Sequence, residues 1–144
     1  ITPDPNVPNN PVNQGENKWT IEGITYTNTG NSAVWNGAGS TWGLMGNGSN
    51  DSLVAFQLWF KTNNPVSGTY TIEPFLSIFT STDSTIVAIS ASLGSRVWQS
   101  VANSGTVTVT NTNGKVSATA TNISIKRTDS EATTTVSGNL TYNP

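Results

Sequence analysis

The stretch GTVTVTNTNGKVSATATNISIKRTDSEATTTVSGNLTY, residues 105–142, constrains this chain more than any other. Apolar and hydroxyl-bearing residues alternate along most of it, which is the period of a strand and not of a helix. Asn113-Gly114 supplies two residues that accept a left-handed backbone, so it closes a tight hairpin, and Asp129-Ser130 closes a second. The reading is three antiparallel strands. In the last one, Ala132, Thr134, Val136, Gly138, Leu140 and Tyr142 share one face. Glu131, Thr133, Thr135, Ser137, Asn139 and Thr141 share the other, which predicts one buried and one wet face. The middle strand breaks phase. Val116, Ala118 and Ala120 are in step, but Ile123 and Ile125 are not, so an extra residue must be absorbed by a bulge near Thr121-Asn122.

The rest of the chain punctuates in the same way. In NKWTIEGITYT the pair Glu22-Gly23 sits between two short alternating runs and predicts an entry hairpin. Glycine-broken strands are predicted around Ala33 to Trp35 and Thr41 to Gly46. LVAFQLWFK, Leu53 to Lys61, is a central strand, with Val54, Phe56, Leu58 and Phe60 in the core and Leu53, Ala55, Gln57 and Trp59 on its other face. A strand through Tyr70 and Ile72 precedes Pro74, which cannot donate to a ladder and marks an edge or bend. Phe75 to Thr80 and Thr85 to Leu93 read as two further strands around a turn at Asp83, and a shorter one carries Trp98. The architecture expected is all-β: a single-domain antiparallel β-sandwich or flattened β-barrel of eight to ten strands over residues 18–144.

Composition excludes several functions. Ser, Thr and Asn make up 58 of the 144 residues, while charged residues are 10%, well below the roughly 25% of ordinary domains. A net charge of −2 with no run of Lys or Arg provides no footprint for nucleic acid. No stretch approaches the ~20 apolar residues of a membrane helix. The chain has no Cys and no His, so it has no disulfide framework, no ordinary zinc site and no Cys–His or Ser–His nucleophile pair. Its acids fall in predicted turns or the N-terminal tail, apart from Glu73, so convergent carboxylates for glycoside hydrolysis are not expected. The loop Gly46 to Asp51 is rich in oxygen ligands but lacks the acidic spacing of an EF-hand. The expectation is a protein that is not an enzyme and needs no cofactor or metal.

Residues 1–17 differ from everything that follows. Four of the seven prolines fall in the first eleven residues, with five asparagines in the seventeen. Such a segment favours extended, solvated backbone and can reach roughly 50 Å in polyproline II form, which is a spacer. Together with this tail, the entry hairpin NKWTIEGITYT, the mid-chain SGTYTI and the closing SGTVTVTNTNGKVSATATNISI…SGNLTYNP resemble small secreted lipoproteins of Bacteroidetes bacteria, many of them in families of unknown function. Gly138 and Leu140 match the Gly-x-Leu/Phe ending of the last strand in those proteins. The resemblance implies an all-β domain exported to the outer membrane or cell surface of a Gram-negative bacterium. Its membrane contact would run only through an N-terminal lipid anchor ahead of the tail, on a cysteine this sequence does not contain. It implies no activity.

Tryptophan carries the remaining functional signal. Trp19 and Trp59 alternate with core-like residues and read as core. Trp35 and Trp42 lie in glycine-rich strands and Trp98 lies between Arg96 and Gln99, so these three are the candidate ligand-binding residues, as indoles that could stack on sugar rings. Three functions compete. One is a surface domain with a structural or adhesive role, whose partner is a glycan or another surface protein. Another is a carbohydrate-binding module using exposed tryptophans. The third is a small-molecule carrier on a lipocalin-like barrel, which requires an internal cavity.

Overall fold

Short alternating runs joined by residues that accept a left-handed backbone become hairpins here. The computed structural model describes residues 17–28, 33–36, 41–48 and 51–144. The entry hairpin pairs β1 (Lys18–Ile21) with β2 (Ile24–Thr27), turning at Glu22 (φ 54°) and Gly23 (φ 79°). Asn113 (φ 54°) and Gly114 (φ 91°) join β9 (Thr106–Thr112) to β10 (Lys115–Arg127) in the same way. Two positive φ values in a row match the right-handed twist of the flanking strands. β11 (Thr133–Tyr142) then returns along β10.

Between these lie β3 (Ala33–Asn36), β4 (Trp42–Gly48), β5 (Asp51–Phe60), β6 (Gly68–Ile72), helix α1 (Phe75–Thr80), β7 (Ile86–Leu93) and β8 (Arg96–Ser100). The fold is an all-β single domain with eleven strands among the described residues, one more than the eight to ten expected. Five of them close a ring. β10 pairs with β9, β9 with β6, β6 with β7, β7 with β8, and β8 with the far end of β10. Two wings extend from the ring. β5, β4 and β3 continue from β7, while β11, β1 and β2 continue from β10. β4 lies against β11 and β2, so the wings face one another like the two sheets of a sandwich.

The bulge makes the ring possible. Ala120 is opposite Gly138 and Ile123 opposite Val136, so Thr121 and Asn122 together face only Ser137. Asn122 takes φ 50°, its N–H donates to Ser137 Oγ at 2.7 Å, and that hydroxyl donates to Asn122 Oδ1 at 3.2 Å. The extra residue keeps Val116, Ala118, Ala120, Ile123 and Ile125 all buried, as the phase change predicted. It also bends β10 away from β9, so Ile125–Arg127 pair with β8 instead. A comparable change of partner occurs in β7, whose start pairs with β6 and whose end pairs with β8. Ser100 seals that junction. Its Oγ accepts from the Ile89 N–H at 3.0 Å and donates to the Glu73 carbonyl at 2.7 Å.

Four expectations need correction. Phe75–Thr80 is a helix, not a strand. Pro74 stands at its N-cap, and Ile78 is its one buried side chain, packed with Ile86 and Ala88 and flanked by Phe75 and Trp59. One turn of helix buries that residue under β7 while carrying the chain across. This crossover explains the second correction: β6 and β7 run parallel, so the sheet is mixed and not wholly antiparallel. Third, Trp59 is only half-buried beneath α1, outside the main core, with Phe75 set edge-on at 5.3 Å. Fourth, the outer face of β11 is not uniformly wet, since Asn139 and Thr141 are buried. The main core does contain Val54, Phe56, Leu58 and Phe60, which meet the ring residues Ile72, Ile89, Val107 and Ile125.

Candidate functional site

A trough forms where β9 and β10 part. Alternation points Val107 and Val109 inward and Thr106, Thr108 and Thr110 outward. Ser117, Thr119 and Thr121 do the same on β10, so the hairpin closed by Asn113-Gly114 presents two facing rows of hydroxyls. Beyond Ala120 the bulge swings β10 off, and Ser104, Gly105, Asn122 and Ile123 line the gap that opens. The resulting depression has a volume of about 610 Å3. A second depression of about 410 Å3 adjoins it and shares Thr119 and Thr121 as a common wall. Its far side is built by Lys18, Thr20, Thr25, Ser137 and Asn139. Among the described residues, Lys18 is the one charged residue lining either depression.

One amide on the same face orients two of the hydroxyls. Asn139 Oδ1 accepts from Thr141 Oγ1 at 2.8 Å and from the Asn17 N–H at 3.4 Å, which fixes which way the amide points. Its Nδ2 then donates to Ser117 Oγ at 2.8 Å and Thr119 Oγ1 at 2.9 Å. Asn17 in turn accepts the Thr141 N–H at 3.0 Å. Burial of Asn139 is tolerable because its donors and acceptor are all used. Thr119 Oγ1 accepts the Asn139 hydrogen bond on the outer face, at the wall between the two depressions. Ser104 Oγ, at the trough's end, is buried without a hydrogen-bond partner among the described residues.

Of the candidate tryptophans, two are not exposed. Trp42 is 3% exposed and packs on Phe60, ring centroids 6.1 Å apart. It points inward with Leu44 on the same face of β4. Trp98 is 2% exposed and closes one end of the ring, with the guanidinium carbons of Arg96 and Arg127 at 5.1 and 5.6 Å from its centroid. Those cations are tied to Glu22 and Asp129, both at 2.8 Å. An indole covered in this way has no face for a sugar, so stacking at Trp42 and Trp98 is set aside. Trp35 sits opposite Gly43, itself opposite Trp59, but its side chain lies outside the described residues. So do the loop around Ser49 and Asn50, considered above for calcium, and residues 1–16 of the tail.

The structure also groups residues that alternation alone did not single out. Leu76 and Phe79 are 70% and 53% exposed on α1, beside Trp59, whose indole N–H donates to Gln57 Oε1 at 3.0 Å. The hydroxyl trough was hidden in plain sequence: TVTVT and KVSATAT are its two walls, but each reads as an ordinary solvated strand face until the register sets them together. The chain matches no protein-family model, no curated protein and no solved structure.

Proposed function

We propose that this chain is a non-enzymatic, exported domain with an adhesive role, held at the surface of a Gram-negative cell by its Pro/Asn-rich N-terminal segment and a lipid anchor. The observation that carries the adhesive part is the outer face of β9, β10, β11 and β1, where two joined depressions present hydroxyls and amides, with Lys18, Trp19 and Ile123 also on their lining. Such a face meets a polar surface through many weak, exchangeable hydrogen bonds, each worth about 0.5–1.5 kcal/mol net. Carbohydrate binding is the narrower reading and has the same support, now without Trp42 or Trp98. The carrier reading has none, because Val107, Ala118, Ile125, Ile72 and Trp98 fill the ring. The tail supports tethering through its composition alone.

The test has two arms. Fractionation and surface proteolysis of the native host should place the protein in the outer membrane, accessible from outside; recovery from the cytoplasm would refute the tether. The purified chain should be retained on immobilised polysaccharides or on whole cells. Absence of retention on every surface would refute adhesion.

A further inference from the structure

The chemistry of the two depressions restricts what can occupy them. Their shared wall carries Thr119, and the row across the sheet through it runs Thr69, Thr108, Thr119, Asn139 and Lys18, strand by strand. Neighbouring strands place these groups about 4.8 Å apart. An anionic guest would find a single counter-charge among the described lining residues, Lys18 at the far side of the second depression, and none within the trough between β9 and β10. An apolar guest would strip water from the hydroxyls and return no hydrogen bonds, which is costly for every group covered. A polyhydroxylated, uncharged guest offers both donors and acceptors at short intervals and leaves none of them unmatched.

We propose that the joined depressions are one binding site for an uncharged oligosaccharide, with Thr119 as the hydrogen-bond donor that sets the guest's register. The proposal rests on the adhesive reading above and specifies its ligand class and its place. Asn139 is the positioning residue. Its amide donates to Thr119 and Ser117, so the Thr119 oxygen is engaged as an acceptor and its hydroxyl serves the sugar as a donor to a ring or hydroxyl oxygen. The network is fixed before the guest arrives, which reduces the ordering cost of binding. Ser104 provides a second, independent sign of a polar guest. Its hydroxyl is buried at the end of the trough without a partner among the described residues, and a polar guest would supply one.

The experiment titrates the whole chain with cello-, xylo-, manno- and maltohexaose, with oligogalacturonate as the charged control, and follows backbone amide shifts. At least one neutral hexasaccharide should bind, with shifts centred on Thr106–Thr110, Ser117–Asn122 and Ser137–Asn139. Thr119→Val should weaken that binding about fivefold, while Thr119→Ser, which keeps the hydroxyl, should stay within about twofold of the parent. Thr119→Ser should melt with the parent, whereas Thr119→Val also removes the acceptor of one Asn139 amide proton and should melt a few degrees lower, so binding is compared well below both midpoints, where each variant is fully folded. Undiminished binding by Thr119→Val would overturn the proposal. So would shifts gathered at Leu76 and Phe79, or tighter binding of oligogalacturonate than of every neutral sugar. A domain that binds none of the sugars yet is retained on cells through a protein partner would also overturn it, and would leave the adhesive reading intact.

Discussion

Gly138 shows how one residue admits its neighbour. It is directly opposite Trp19 in the β1–β11 ladder. A Cβ there would lie 2.9 Å from both the Trp19 Cα and the Lys18 carbonyl oxygen, and closer still to the Trp19 Cβ. Gly46 yields from the other wing, where a Cβ would come within 2.8 Å of the far edge of the same indole. Trp19, 1% exposed and stacked 5.9 Å from Phe56, therefore occupies space that two missing side chains provide. The obstruction at Gly138 is backbone, which cannot move aside cheaply. Gly138→Ala should therefore cost about 2–3 kcal/mol, read as a lower urea midpoint at an unchanged slope. This gives a steric reason for the Gly138–Leu140 pairing in the last strand, where Leu140 also packs against Gly46.

β10 shows what an element gains from an irregularity. Without the extra residue at Thr121-Asn122, the strand would have to choose which of its two apolar sets to bury. Deleting Asn122 should turn Ile123 and Ile125 toward solvent or shift the ladder to β8. Either result forfeits about 3–6 kcal/mol of side-chain burial, enough to abolish a cooperative melt in a domain of ordinary stability. Asn122→Gly retains the left-handed backbone and the N–H that Ser137 Oγ accepts, so its melting temperature should stay close to the parent's. Calorimetry of the two variants separates the bulge as geometry from Asn122 as a side chain. α1 teaches the opposite lesson. FLSIFT has the β-propensity of a strand, but Pro74 and the need to cross from β6 to a parallel β7 turned it into helix.

At the scale of the whole molecule, few groups titrate, so stability should vary little with pH across the neutral range. The Thr85 hydroxyl and N–H hold the Asp83 carboxyl below the usual carboxylate range, and the Arg127 guanidinium does the same for Asp129. A lowered carboxylate contributes stability above its unfolded pKa and loses it as pH falls through the folded value. Both groups lie at the surface, so the acid limb should be shallow. Tyr70 behaves in the opposite sense. Burial pushes its phenol up, and its hydroxyl donates to the Val66 carbonyl at 2.7 Å. A raised phenol contributes fully below its unfolded value of about 10 and loses that contribution as pH rises through the folded one. Melting temperatures taken from pH 7 to 11 should therefore fall above about pH 10, and Tyr70→Phe should flatten that fall after a loss of about 1 kcal/mol at neutral pH.

By itself the sequence determined most of the strands, the turns at Glu22-Gly23 and Asn113-Gly114, and the bulge, because these follow from alternation and from residues that accept a positive φ, both properties of a few neighbours; it missed α1, and the Asp129-Ser130 turn is a five-residue connection without a positive φ. It also determined the inward set of β5 and β10, since period two leaves no other choice once a strand is assigned. Only the tertiary structure decided the ring, the parallel pair, the depth of Trp42, Trp59 and Trp98, and the trough. Each depends on which strands become neighbours: Trp98 is buried because β8 closes the ring beneath two arginines, and Asn139 is buried because Asn17 and Ser117 close over it. Alternation tells which residues share a face, but what a face meets is settled by contacts between residues as far apart in the chain as Asn17 and Thr141.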